Sequence, residues 1–89
     1  MIHYEDSILK ALKKGILPKE IFMLFHHAFV ALDTTKDMNL FDIKKLKSSG
    51  DRNYYRLRKG KYRAIFYMEK NNYNIFLIAK REEVYKLWE

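Results

Sequence analysis

Residues 54–79 read YYRLRKGKYRAIFYMEKNNYNIFLIA. Three runs rich in Tyr, Phe, Ile and Leu are separated by Lys59-Gly60 and by Lys70-Asn71-Asn72. Aromatic and β-branched residues suit a pleated, half-buried backbone, and Gly and Asn tolerate the positive φ of tight hairpins. The spacing predicts an antiparallel meander of strands over Tyr54–Arg58, Lys61–Glu69 and Tyr73–Ala79, with a two-residue turn at the first junction and a slightly longer one at the second. Alternation then places Tyr54, Arg56 and Arg58 on one face of the first strand and Tyr55 and Leu57 on the other.

Upstream, the periodicity changes from two to that of helices. Asp6 or Ser7 suits the cap of a first helix whose stripe is Ile8, Leu9, Leu12 and Ile16, weakened at its end by Gly15. Pro18 suits the first turn of a second helix running to about Leu32, with Ile21, Leu24, Phe25, Ala28, Phe29 and Leu32 as its core face. Between the helices and the meander, residues 33–53 are polar and turn-rich, and predict a loop with a short extended piece. Ile2–Glu5 offers a fourth strand at the edge, and Arg81–Glu89 is left open between short helix and irregular chain. The expected fold class is α+β, an αα-hairpin packed on one face of a small twisted antiparallel sheet of three to four strands, within a single domain spanning 1–89. The other sheet face is left for function.

Composition narrows that function. The chain has 89 residues, no cysteine and three glycines. Disulfides, thiolate metal sites and cysteine nucleophiles are excluded, and none of the glycine-rich phosphate loops or hydrolase elbows is present. His3, His26 and His27 have no metal-ligand spacing, so no metal and no cofactor is expected. No apolar run reaches the length of a membrane span, and the acidic start MIHYEDS is unlike a basic signal peptide, which predicts a cytoplasmic protein that does not engage membranes.

The net charge is +7, and it is segregated. Residues 1–43 hold five Lys/Arg against six Asp/Glu, net −1, whereas residues 44–89 hold thirteen against five, net +8. Such a half points to a polyanion, nucleic acid ahead of anionic lipid, although lysine-rich chains are also basic without purpose. The run Lys44, Lys45 and Lys47 and the strand residues Arg56, Arg58 and Lys61 are candidate phosphate contacts. Arg63 stands in a mostly apolar strand, where a charge is costly. Two readings account for it: a salt bridge to Asp51, Glu69 or Glu82, or a phosphate clamp. On the outer side of the second helix Phe22, Met23 and Val30 are unexpectedly apolar. They are either covered by other parts of the chain or form a surface for a partner.

The stretch from Lys44 to Glu89, with its pieces KKLK, YYRLR, KYRAIFY and AKREEVY in order, resembles the C-terminal half of RelE/ParE-superfamily toxins of type II toxin–antitoxin modules. The preceding LKALKKGILPKEI resembles the first helix and inter-helix turn of that family. The resemblance implies a β-α-α-β-β-β architecture, a cognate antitoxin as partner, and one of two activities. These are ribosome-dependent endoribonuclease cleavage of mRNA in the A site, as in the RelE branch, or gyrase poisoning, as in the ParE branch. A toxin-fold binding protein without catalysis is a third reading. By position, Arg63 matches the arginine that holds the scissile phosphate, Arg81 a general acid or charge stabiliser, and Tyr85 a tyrosine that stacks on or orients the substrate. Arg56 and Arg58 stand where RelE members often carry lysines, and Lys80 where others carry histidine. Arginine does not give up its proton near neutral pH, so Lys80, or Lys61 or Lys59, is the candidate base, and Arg56 and Arg58 are assigned to phosphate binding.

Overall fold

The computed structural model describes residues 1–46, 50 and 52–88. The elements in chain order are β1 (Ile2–Tyr4), α1 (Asp6–Lys13), α2 (Lys19–Thr35), a 3₁₀ turn (Met38–Leu40), β2 (Ile43–Lys45), β3 (Tyr54–Lys59), β4 (Tyr62–Glu69), β5 (Asn72–Lys80) and α3 (Arg81–Trp88). The five strands form one sheet in the order β1-β5-β4-β3-β2. The meander β2 to β5 is antiparallel, and β1 joins its far edge parallel to β5. The sheet is therefore mixed and five-stranded where three to four antiparallel strands were expected. The added strand β2 is the short extended piece expected within the loop of residues 33–53, and it pairs with β3 as a sheet strand, which three residues flanked by polar chain carry too little periodicity to announce.

This topology makes the two sheet faces unlike. The αα-hairpin carries the chain from the β1 edge to the β2 edge and covers one face on the way. Phe25, Ala28, Phe29 and Leu32 of α2 and Ile8 of α1 pack there on Leu57, Ala64, Phe66, Tyr73, Ile75 and Ile78. The Phe29 ring meets Phe66 edge-on, with centroids 5.0 Å apart. Three expected core positions fall outside this interface. Leu9 is 49%, Leu24 45% and Ile16 72% exposed. Leu24 lies at the margin of the stripe, away from its centre, and Ile16 lies beyond the end of α1. That end is a Schellman cap: Gly15 takes φ 75°, its N–H donates to Leu12 O, and the Ile16 N–H donates to Ala11 O. The α1 N-cap is Glu5, without a side-chain cap, instead of Asp6 or Ser7, and Ser7 Oγ donates to Phe76 O. Pro18 is itself the N-cap of α2, one residue before the first turn.

Both hairpins have two-residue turns. Lys59 pairs with Tyr62 around Gly60-Lys61, and Glu69 pairs with Asn72 around Lys70-Asn71. Lys70 and Asn71 take φ of 50° and 66°. Two consecutive positive φ values match the right-handed strand twist, so Asn72 remains in the strand and the second turn is shorter than expected. A bulge interrupts the β4–β5 ladder: Ile65 opposes Leu77 while Phe66 opposes Ile75. The extra residue, Phe76, turns to the same face as Leu77, away from the helices. The C-terminal segment left open by the sequence is helical. No helix among the described residues is long and apolar enough to cross a membrane.

Candidate nucleic-acid interface

The face opposite the αα-hairpin is built from the alternate residues of the same strands. Cross-strand register places Arg56 opposite Ile65, Arg58 opposite Arg63, and Lys44 opposite Arg56. Directly opposed like charges destabilise a sheet, and two such pairs occur side by side here. α3 starts at the end of β5, where the Arg81 N–H donates to Lys61 O at 3.0 Å. Val84 packs on Ile65 and Ala79 in a second small core. That anchorage brings Arg81 and Tyr85 over the sheet, with the Arg81 guanidinium 5.0 Å from the centroid of the Tyr85 ring. A basin results, lined by Lys44, Leu46, Arg56, Arg63, Ile65, Arg81, Val84 and Tyr85.

Arg63 is the floor of the basin and is only 7% exposed. Its Nη1 donates to Gly60 O at 2.8 Å and to Tyr62 O at 3.0 Å. Among the described residues no carboxylate forms an ion pair with it, so neither Glu69 nor Glu82 supplies the counter-charge. Asp51 lies outside the described residues. Burial, followed by the charges of Arg56, Arg58 and Arg81, lowers the Arg63 pKa below the usual guanidinium value. Arg56 contributes a buried Nε with no hydrogen-bond partner among the described residues. A buried charge without a counter-charge, beside an unsatisfied donor, is unfavourable unless an anion completes it.

One carboxylate, unforeseen from the sequence, tempers the cluster. Asp42, just before β2, takes Arg56 Nη2 on one oxygen at 3.2 Å and Arg58 Nε on the other. It could have been suspected as the acid next to IKK. Only the pairing of β2 with β3 brings it to these arginines.

The structure gathers Arg56, Arg63, Arg81, Tyr85 and Lys44 in one place, with Arg58 at the margin. It does not gather the lysines proposed as bases. Lys80 pairs with Tyr62, and Tyr62 packs on the helix-side core. Lys80 is thus on the opposite sheet face from Arg63, whose partner on β5 is Ala79. Lys59 also pairs with Tyr62, and Lys45 pairs with Tyr55, another residue packed toward the helices. Lys61 is exposed in the β3–β4 turn. Lys47 lies outside the described residues.

The candidate partner surface is also divided. Met23 is 36% and Val30 43% exposed. Phe22 is half-buried against Tyr4, at 4.8 Å between ring centroids, and stacks on His26 at 6.1 Å. It seals the flank of the core and does not stand on the outer side. Exposed Leu24 takes its place next to Met23. Among the described residues no three His, Asp or Glu side chains converge as a metal site would need.

No family model matches this sequence, and no curated protein does. Solved structures do. The crystal structure of an archaeal RelE–RelB complex from Pyrococcus horikoshii OT3 contains a chain 28% identical to this one. It superposes with a TM-score of 0.68 over 90% of this chain and 92% of that chain. The crystal structure of a RelB–RelE antitoxin–toxin complex from Methanococcus jannaschii gives 24% identity and a TM-score of 0.70 over 98% of this chain and 99% of that chain. The chain thus has the RelE-like α+β fold found in these toxin–antitoxin complexes.

Proposed function

We propose that the chain is the toxin member of a toxin–antitoxin pair, a cytoplasmic endoribonuclease that cleaves mRNA in the ribosomal A site and is held in check by a cognate antitoxin. The observation that carries this reading is Arg63: a buried guanidinium ringed by Arg56, Arg58 and Arg81, with only backbone carbonyls as acceptors among the described residues. A scissile phosphate is the anion that such a cluster lacks. A basic, folded chain with a preformed cationic basin suits the toxin member better than its antitoxin partner.

RNA brings its own nucleophile. The 2′-OH attacks the adjacent phosphorus and gives its proton to water, the P–O5′ bond breaks to leave a 2′,3′-cyclic phosphate and a 5′-oxygen that takes a proton from water, and negative charge accumulates on the non-bridging oxygens between the two events. Arg63 and Arg56 are placed to hold that charge, Arg81 to stabilise the leaving oxygen, and Tyr85 to stack on a neighbouring base. Three of the groups that line the basin are arginines, which keep their proton, and Lys80, the lysine assigned as base from the sequence, is on the opposite sheet face. The mechanism is therefore one of charge stabilisation, and in-line alignment of the RNA is left to the ribosome.

Asp42 favours one competing reading, a binding protein without catalysis, because it already occupies two of the arginines. Primer extension on mRNA translated in a cell-free system separates the two. Breaks within codons, lost with Arg63→Met and with Arg81→Met but retained with Lys80→Met, support the nuclease. Full-length message at every pH with folded, antitoxin-binding protein overturns it.

A further inference from the structure

Beside the cationic basin the same sheet face carries a second cleft, lined by Glu5, Arg52, Tyr54, Tyr67 and Phe76. Tyr54 and Tyr67 are direct cross-strand partners, and their rings meet edge-on at 5.9 Å between centroids. Phe76 lies 5.8 Å from Tyr54 and 6.1 Å from Tyr67, in a position that exists because the β5 bulge turns it to this face. The Arg52 guanidinium lies 4.2 Å from the Tyr67 ring centroid and 3.5 Å from Glu69. Glu5 is fixed by its backbone, whose N–H donates to Ile75 O at 3.0 Å. As N-cap residue of α1 it makes no side-chain cap, and among the described residues its carboxylate has no ion-pair partner.

We infer that this cleft is a nucleobase seat for the RNA whose phosphate occupies the Arg63 basin, and that it favours guanine over uracil. Three observations converge. Tyr67 is four residues along β4 from Arg63 on the same face, about 13 Å away, the reach of a short oligonucleotide. Tyr67 is buried beneath the Arg52 guanidinium and forms the floor, while Tyr54 and Phe76 are half-buried, and partly open rings beside a guanidinium are a surface on which unpaired bases stack. Finally, a carboxylate at the rim repels phosphate but accepts hydrogen bonds from base N–H groups. Guanine presents two adjacent donors, N1–H and the exocyclic amine, which match the two oxygens of Glu5. Cytosine and adenine offer one amine, and uracil offers only its ring N–H beside two repelling carbonyls. The inference rests on the RNA-cleaving reading above and adds base preference to it.

The test is an NMR titration of ¹⁵N-labelled protein with non-cleavable 2′-O-methyl tetranucleotides, UUUU and its variants bearing one G, C or A at either end. Signals of Arg63 and Arg81 should move with every oligonucleotide. Signals of Arg52 and Tyr54 should saturate at about ten-fold lower concentration with a terminal G than with U. Glu5→Gln should remove most of that difference, because an amide accepts at one oxygen only. If Arg52 and Tyr54 stay unmoved, or respond equally to G and U, while Arg63 and Arg81 respond, the base seat is wrong and the phosphate basin stands. If neither cluster responds, both fail.

Discussion

On the helix-covered face Leu57, Ala64, Phe66 and Ile75 are fully buried against Phe25 and Phe29. One residue along the same strands, Arg56 faces Lys44 and Arg63 faces Arg58. The first face is optimised for stability: apolar, close-packed, with every strand contributing. The second opposes like charges and buries one of them. A fold this small has little free energy to spare, so a face that works against stability has been kept for something other than folding. The comparison turns into measurements by damaging each face in turn.

The largest effect belongs to the apolar face. Phe29→Ala removes a fully buried ring that meets Phe66 edge-on, and should destabilise the protein by about 3–5 kcal/mol. Urea unfolding should show it as a lower midpoint with an unchanged slope. A loss under about 1 kcal/mol would mean that the helices are not what holds the sheet.

The cationic face should behave in the opposite sense. Arg63→Met keeps most of the buried volume and removes a charge crowded by three others, so stability should hold or rise in the same urea assay. Cleavage should fall by about 10²–10³, the usual cost of one preorganised charge contact. Arg63→Ala is the poorer probe, since in a residue only 7% exposed it leaves a cavity. Inorganic phosphate should raise the melting temperature of the parent protein and leave Arg63→Met unmoved, because a ligand stabilises only the state that binds it. A marked loss of stability in Arg63→Met, with no response of the parent to phosphate, would make Arg63 a structural residue.

A smaller change sharpens the same contrast. Asp42→Asn deletes the carboxylate shared by Arg56 and Arg58. These groups are partly exposed, so stability should change by less than about 1 kcal/mol. Phosphate affinity should increase, because Asp42 competes with the anion for the two guanidiniums. Unchanged affinity would show that Asp42 belongs to the sheet edge and has no part in the basin.

The two faces were not equally legible in the sequence. The meander and the αα-hairpin were, because Phe25, Phe29, Leu57 and Ile75 repeat at strand or helix periods over long runs. So was the arginine face, which follows from alternation through YYRLR and KYRAI. β2 was legible only as a short extended piece without a pairing partner, since three residues carry no period, and Asp42 was lost with that pairing. Lys80 was misplaced for a related reason: neighbouring positions 80 and 81 look equivalent in a list, but alternation sends Lys80 to the face of Tyr62, while Arg81 begins a helix over the basin. The aromatic cleft was hidden because it depends on a bulge. Regular alternation through Tyr73–Ala79 cannot bring both Phe76 and Leu77 to one side.

The smallest expected effect is at the edge of the helix-covered face, where Tyr4 and Phe22 close the core. The Tyr4 hydroxyl is 2.9 Å from His26 Nδ1, and burial pushes the Tyr4 pKa up to about 12 from 10.0. The folded state thus holds the phenolic proton more tightly than the unfolded chain does. Stability from this source is fully present below about pH 10 and is lost as the pH rises toward 12, because only the unfolded chain ionises readily in that window. Tyr4→Phe has no proton to lose. It should cost a hydrogen bond at neutral pH, and its stability should then decline less steeply than the parent's between pH 10 and 12. Parallel declines in the two proteins would mean that Tyr4 is as solvated in the folded state as in the unfolded one, and that the apolar face ends short of its first strand.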